Sequence, residues 1–543
     1  MPTEPIDPLT GPRYALEGKV VTMDASFRVL NRGVIYIERG QIIAIKPTNA
    51  PCPPGFEDSP LIHTRGTIYP GLIDLHNHLS YDALPLWDVP KKFKNRSRWG
   101  RKPAYRKLIS GPMQVLGQTP GYVEAIVRYV ECKCLLGGVT TSQGIALYSN
   151  QGIRKYYRGI VRNVEETDET ALPEANTKIS DVEASKAAKF LDRLRRSSCL
   201  LLHLSEGVDD RAYQHFIALH LESGEWAITP ALAGIHCVGL KDTDFRTMQE
   251  RGGSLVWSPL SNLLLYGKTA DIKAAKSHGV LIGIGPDWSP TGSKNLLGEL
   301  KVGRLVSEEC GSIFSDREIL AMATRNAAKI LKWDDALGSI EVGKRADLLV
   351  IYGRRGDPYE KLLKSSESSI ILVVINGIPR YGQVRLMKHF GNGTEKWNVG
   401  RAKRILNLEQ ETADPIVGAL TLRKARDRLK EGMQKLSELA RELEHRSFAF
   451  SHTTLDTPET KWSLVLDHNE LEGEAHRPHL PFGPRGIPTG QLTFAAARVP
   501  LSQILEPIEL DDLTVRDDKQ FLDRIAQQQN LTDFIKNRLP DLY

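Results

Sequence analysis

The chain has 543 residues, 41% of them hydrophobic, enough for a large core and more than one domain. Its formal charge of +6 is a small excess for that length, so composition alone does not call for nucleic acid. No apolar run approaches the ~18 residues that a membrane span needs, and the opening MPTEPIDPLTGPRYAL lacks the basic-then-apolar order of a signal peptide.

Residues 14–66 hold short alternating pieces, KVVTMD, VLNRGVIYIERG and QIIAIKP, with Gly and Asn at the turns. Val34, Tyr36 and Glu38 face one way and Ile35 and Ile37 the other, which predicts a small antiparallel sheet. From 67 to about 331, short apolar strands alternate with helical patterns. The candidate strands are 68–75, GVTTSQGI (138–145), GIVRNVE (159–165), CLLLHLS (199–205), AITPALAGIH (227–236), SLVWSP (254–259) and VLIGIGPD (280–287). One more is expected within 166–198, and about eight strands over about 265 residues predict a (β/α)8 TIM barrel. Beta texture returns at GSIEVGKRADLLVIYG (338–353) and SIILVVINGIPRYG (369–382), strands expected to pair with the N-terminal sheet. The expected α/β division is therefore 1–66 and 335–389 as two parts of a small β-sandwich domain, 67–334 as the barrel, and 390–543 as a mainly helical extension without a chemical motif.

Within 419–446, Leu422, Ala425, Leu429, Met433, Leu436, Ala440 and Leu443 form one apolar stripe on a long charged helix. Packing on its own domain is the first reading and a homodimer contact the second. Residues 467–490 read as a loop, and 516–543 as helical again. The six cysteines (52, 132, 134, 199, 237 and 310) are sparse and read as free thiols in a reducing cytoplasm.

In such a barrel, chemistry sits at the C-terminal strand ends. His76 and His78 end the first strand in GTIYPGLIDLHNHLSYD, His203 and Glu206 follow in CLLLHLSEG, His236 in AGIHCVGL, and Asp287 in VLIGIGPDW. A lone strand-end histidine is more often structural than a ligand. Recurrence at strand end after strand end points instead to Zn2+ or Fe2+, which accept imidazole and carboxylate.

PGLIDLHNH, GVTT at 138–141, HLSE, GIHCV, SPLSN and GPDWS, in this order, resemble the amidohydrolase superfamily, as does the closing ATRNAAKIL…LGSIEVGKRADLLVI at 323–351. The likeness covers roughly residues 14–385, and His203-x-x-Glu206 with SPLSN is similar to the aminohydrolase branch that includes guanine deaminase and the chlorotriazine hydrolases. The resemblance implies one divalent metal, Zn2+ first and Fe2+ second, held by His76, His78, His203 and Asp287, with His236 beside its water. Asp287 is then also the proton acceptor, and Glu206 is placed to protonate a ring nitrogen or shuttle protons. Asp74 orients a ligand or anchors a loop, with equal weight. A second metal would need a bridging residue late in the fourth strand; Lys178 is the one lysine near, in a polar context not clearly strand-like. The pattern departs from the branch at bulky Trp288, in the long segment after His78, and in 141–199, short for two β-α units.

Residues 89–123 contain no Asp or Glu, but hold Lys91, Lys92, Lys94, Arg96, Arg98, Arg101, Lys102, Arg106 and Lys107, with Phe93, Trp99 and Tyr105 interleaved. Such a stretch is a solvated loop, a cover for an anionic or planar substrate, or a pattern that also suits nucleic acid. Arg96 and Arg98 are the candidates for a carboxylate, and Tyr81, Trp87 and Trp288 for pocket walls. The expected function is metal-dependent hydrolysis of a non-peptide C–N bond in a small, cyclic or anionic substrate, by deamination or amide hydrolysis. The alternative is a barrel without catalysis that serves as a scaffold or binding protein through residues 390–543.

Overall fold

The computed structural model describes residues 12–167, 169–391, 395–410, 413–449, 460–467 and 499–543. Most of the expected 467–490 loop, from 468 on, lies outside the described residues.

The two β-textured flanks meet on one strand. Leu61–Pro70 pairs in parallel with Tyr14–Val21 and antiparallel with Leu348–Tyr352. These strands belong to one nine-stranded sheet, which also takes in Val29–Glu38 and Gln41–Pro47 at one end and Ile370–Ile375, Ile378–Gln383, Ala402–Leu406 and Glu395–Val399 at the other. The alternation in VIYIE works on both faces. Ile35 and Ile37 join a core with Leu16, Ile62 and Leu348, while Val34 and Tyr36 pack with Ala15 and Phe56.

Between the flanks run eight parallel strands: β1 (Leu72–Ile73), β2 (Val139–Ser142), β3 (Arg162–Asn163), β4 (Ala175–Lys178), β5 (Cys199–Leu204), β6 (Leu232–His236), β7 (Ser254–Trp257) and β8 (Leu281–Ile284). They form a three-stranded sheet, β1-β2-β3, and a five-stranded sheet, β4 to β8 in order. Ala175 N donates to Val164 O at 2.7 Å across the first gap, and Asp287 N to His76 O at 3.0 Å across the second. The result is a TIM-barrel-like α/β fold with Ile73, Ala175, Leu201, Ile235 and Val256 in one core cluster.

One expectation is not met. The candidate strand 68–75 splits: Leu61–Pro70 belongs to the flanking sheet, and only Leu72–Ile73 enters the barrel. The strand expected within 166–198 is β4, and Lys178, in a context not clearly strand-like, is its last residue. The shortness of 141–199 has its explanation in β3, two residues long, and in a hairpin of Ala146–Ser149 and Arg154–Tyr156 where a helix is usual.

The extension covers the barrel. Its helix Leu422–Gln434, capped by Thr421 Oγ1, packs on Tyr122–Leu136. The helix expected over 419–446 breaks at Lys435 and resumes as Leu436–Ala449. Leu422, Ala425, Leu429, Met433, Leu436 and Ala440 are all buried within the chain, so the stripe no longer supports a subunit contact. The cysteines are free, four of them buried. Among the described residues no helix is long and apolar enough to cross a membrane.

Farther on, Asp511 ties the extension to the barrel from a buried position, accepting from Lys133 Nζ at 2.6 Å and Lys294 Nζ at 2.5 Å. The same Lys133 donates to Ser289 Oγ at 2.6 Å, two residues past Asp287. Removing one member of a buried ion pair leaves the other desolvated and unpaired. Asp511→Ala is therefore expected to lower the unfolding free energy by about 3–5 kcal/mol in urea denaturation; a loss below about 1 kcal/mol would contradict this tie.

Candidate metal centre

The site forms where the ends of β1 and β8 touch. His78 N donates to Asp287 O at 2.6 Å, beside the Asp287 N to His76 O bond. Gly285 makes this approach feasible, since a Cβ there would sit 2.5 Å from His76 N. Asp287, His236 and Ser205 adopt φ of +72°, +67° and +49°. Side-chain-bearing residues in that region cost about 1–3 kcal/mol each. Thus three strand ends hold strained backbone where they turn side chains inward.

The ring nitrogens then follow from their partners. Gln143 Oε1 lies 3.1 Å from His76 Nδ1 and accepts Asn77 N at 2.8 Å. An amide oxygen only accepts, so His76 carries its proton on Nδ1. Its Nε2 lone pair is left facing Asp287 Oδ1 at 3.1 Å, buried and without a hydrogen bond among the described residues. Asp467 Oδ2 lies 3.0 Å from His78 Nδ1 and directs that proton likewise, so His78 Nε2 faces Asp287 Oδ1 at 3.4 Å and His203 Nε2 at 3.2 Å. Facing lone pairs repel unless a cation or proton lies among them. A tetrahedral ion with bonds of about 2.0–2.1 Å spaces its donors by about 3.3–3.4 Å, close to the 3.1, 3.4 and 3.2 Å found here. His76, His78 and Asp287 thus bring donor atoms within reach of one divalent ion, and His203 Nε2 lies beside His78 Nε2.

His236 differs. Trp257 Nε1 donates to Thr269 Oγ1 at 2.7 Å, and Thr269 Oγ1 to Asn262 Oδ1 at 3.3 Å. That leaves Asn262 Nδ2 to donate to His236 Nδ1 at 2.9 Å. His236 then bears its proton on Nε2, which points toward Glu206 Oε2 at 3.8 Å. This nitrogen is a donor aimed into the site. His76, His203 and His236 also lie close enough to form a second three-histidine group, but this tautomer disfavours His236 as a ligand.

Burial, with the neighbouring imidazoles His76 and His78 adding to it, holds His203 well below its ordinary pKa. In His236 burial outweighs the opposing charge of Asp287 and has the same effect. For His78 burial favours the neutral ring, yet Asp467, then Asp287 and Glu206, push it up to about 9. Burial works against ionising Asp287, but His76 and then His236 and His78 hold it well below the usual carboxylate range. Glu206 is pushed up to about 7, chiefly by burial, against the opposing Arg96 and with Asp287 adding. Its Oε1 accepts from Tyr266 Oη at 2.5 Å, while Oε2 has no hydrogen-bond partner among the described residues.

His76, His78, His203, His236, Glu206 and Asp287 all converge, as the strand ends suggested. Arg96 comes with them, its Nη1 3.5 Å from Glu206 Oε2 and its Nη2 3.2 Å from Asp181 Oδ2. Arg98 does not; it is exposed. Trp288 lies 5.5 Å from the His78 ring and 5.1 Å from Tyr81. Phe93, Trp99 and Tyr105 of the basic segment, and Trp87 just before it, are buried, while most of the segment's charges face out. Asp74 accepts from His76 N at 3.1 Å and from Asn77 Nδ2 at 3.0 Å, which anchors the loop. Lys178 Nζ turns to Ser180 Oγ.

Sequence reasoning missed the residues behind the first contacts. Gln143 stands in GVTTSQG, and Ser261, which donates to Asp287 Oδ2 at 2.6 Å, stands with Asn262 in SPLSN. Both stretches were visible as motifs, but their polar side chains carried no visible partner. Asp467 gave no signal at all, lying among loop-like residues far along the chain.

A TIM-barrel-like fold with inward imidazoles and a carboxylate at its strand ends defines the class of metal-dependent barrel hydrolases. The family model described as Amidohydrolase family matches residues 67–379, and the chain belongs to that family. The 5-methylthioadenosine/S-adenosylhomocysteine deaminase of Desulforudis audaxviator is 24% identical over 415 residues, 70% of this chain and 92% of that one. The 5'-deoxyadenosine deaminase of Methanothermobacter thermautotrophicus is 23% identical over 403 residues, 66% of this chain and 92% of that one. Among solved structures, a triazine hydrolase from Arthrobacter aurescens superposes with a TM-score of 0.54 at 19% identity, covering 78% of this chain and 99% of that one. A zinc-bound adenosine deaminase from Xanthomonas campestris does so with a TM-score of 0.50 at 17% identity, covering 77% and 99%. By this membership the chain is an amidohydrolase.

Outer partners of ligand histidines typically govern metal affinity by about 10- to 100-fold. Gln143→Ala, which frees His76 Nδ1, is expected to weaken divalent-metal binding by about that factor in chelator competition. An unchanged affinity would contradict the role of Gln143 in orienting His76.

Proposed function

We propose that the protein is a mononuclear deaminase of an amino-substituted heterocycle, with zinc as its ion and iron(II) as the second choice. The observation that carries it is the inward set of His76 Nε2, His78 Nε2, His203 Nε2 and Asp287 Oδ1, with Glu206 beside it. These four side chains would hold the ion. When bound, such an ion lowers the pKa of water from about 15.7 toward 7.

The chain's own groups do the rest. Ser261 fixes Asp287 through Oδ2, and Asp287 takes the proton of the attacking water and passes it to the amino nitrogen, which leaves as ammonia when its bond to the ring carbon breaks. His236 Nε2–H donates to the oxygen as negative charge develops on it. Glu206, with a proton affinity near neutrality, protonates the ring nitrogen beside the attacked carbon. Tyr81 and Trp288 offer aromatic surface to a planar ring, and Arg96 holds positive charge against Glu206. Relatives named as deaminases of adenosine-type compounds put a 6-aminopurine nucleoside first among substrates. Hydrolysis of a small cyclic amide needs the same groups except the ring-nitrogen role of Glu206. One ion is preferred to two because Lys178 is turned to Ser180. A closed eight-stranded barrel, a β-sandwich made by the flanking sheet and a cytoplasmic setting complete the proposal.

Glu206→Gln keeps the shape and removes the proton, so kcat/KM for ammonia release from amino-heterocycles is expected to fall by about 10²–10⁴-fold with metal content retained. His76→Ala and Asp287→Ala are expected to lose stoichiometric metal in elemental analysis. Ammonia release that survives exhaustive chelation would overturn the proposal, and a metal-free wild type whose partner binding ignores both substitutions would favour the scaffold alternative.

A further inference from the structure

The candidate ligand histidines differ in what stands behind them. Gln143 backs His76, and His203 Nδ1 has no hydrogen-bond partner among the described residues. Behind His78 stands a carboxylate, Asp467, 3.0 Å from Nδ1 and partly buried. Asp467 lies outside residues 67–379, the stretch that matches the family.

Asp467 arrives on a segment stitched into the barrel mouth. Trp462–Leu464 pairs antiparallel with Ala146–Ser149, the hairpin strand that follows β2. Leu464 N donates to Gly117 O at 2.8 Å and Val465 N to Ala146 O at 2.9 Å. Leu464 and Leu466 are buried, and Lys155 Nζ lies 4.8 Å from the centre of the Trp462 ring. The backbone of Asp467 itself donates to Tyr81 Oη at 3.3 Å. Two strands, two buried leucines and a tyrosine thus fix where this carboxylate points.

We infer that Asp467 is a positioning residue of the active site, supplied by the C-terminal extension to hold the His78 ring with Nδ1–H toward its carboxylate and Nε2 toward Asp287 and His203. This rests on the proposed metal site. A carboxylate behind a ligand imidazole fixes its tautomer and ring orientation and strengthens its donor nitrogen. The extension, for which the sequence offered no chemistry, is then part of the centre as well as its cover.

The test uses the full-length protein, zinc in chelator competition, and the visible spectrum of the cobalt(II)-substituted form. Asp467→Asn keeps shape and removes charge. It is expected to weaken zinc affinity by about 10- to 100-fold and to shift the cobalt bands, with Asp467→Glu recovering most of both. In a His78→Gln background, Asp467→Asn is expected to add no further loss, because contacting residues are not additive. Wild-type affinity and an unchanged cobalt spectrum in Asp467→Asn would overturn the inference while leaving the metal site standing. So would an equal, additive loss in the His78→Gln background. A wild-type protein that binds neither ion would overturn the metal site and this inference together.

Discussion

The site depends on one electrostatic constraint, that the inner nitrogens of several imidazoles face one another and a carboxylate in a largely buried space. Gln143 and Asp467 occupy the outer nitrogens of His76 and His78, which turns their inner nitrogens toward Asp287. Burial keeps His203 neutral as well. Asp287 stays ionised among them. Such a cluster is unfavourable by itself and favourable around a divalent cation. The backbone is built to hold it: the β1 and β8 ends are hydrogen-bonded through Asp287, and Gly285 lets them touch.

The same arrangement separates roles among similar side chains. The relay from Trp257 through Thr269 and Asn262 puts the proton of His236 on the inner nitrogen, so this histidine donates where the others accept. Asp287 and Glu206 are both buried carboxyls, yet surrounding imidazoles keep the first ionised, while the second sits near neutrality. Two carboxyls driven apart in this way can serve one as base and the other as acid.

Much of this was legible because strand-end chemistry leaves short, ordered signals. His76, His78, His203, His236 and Asp287 each follow an apolar run, and the return of β texture after 338 foretold the pairing of the flanks. The rest was hidden for physical reasons. GTIYPGLID reads as one strand, but it serves two sheets, a division set by tertiary packing around Gly71. Arg96 and Arg98 look equivalent in sequence; a four-residue helix, Arg96–Trp99, sends one to Glu206 and the other to solvent. Asp467 reaches His78 across almost the whole chain, a contact that no local periodicity encodes. The stripe at 419–446 was correct as a pattern, and its break at Lys435 leaves the buried face continuous.

The most direct measurement is an anomalous-scattering map of crystals of the protein as purified, collected at the zinc and iron absorption edges. The account predicts one peak, within bonding distance of His76 Nε2, His78 Nε2, His203 Nε2 and Asp287 Oδ1, with His236 outside the coordination shell. A map with no peak there, or with the ion bound through His236 in place of Asp287, would contradict it.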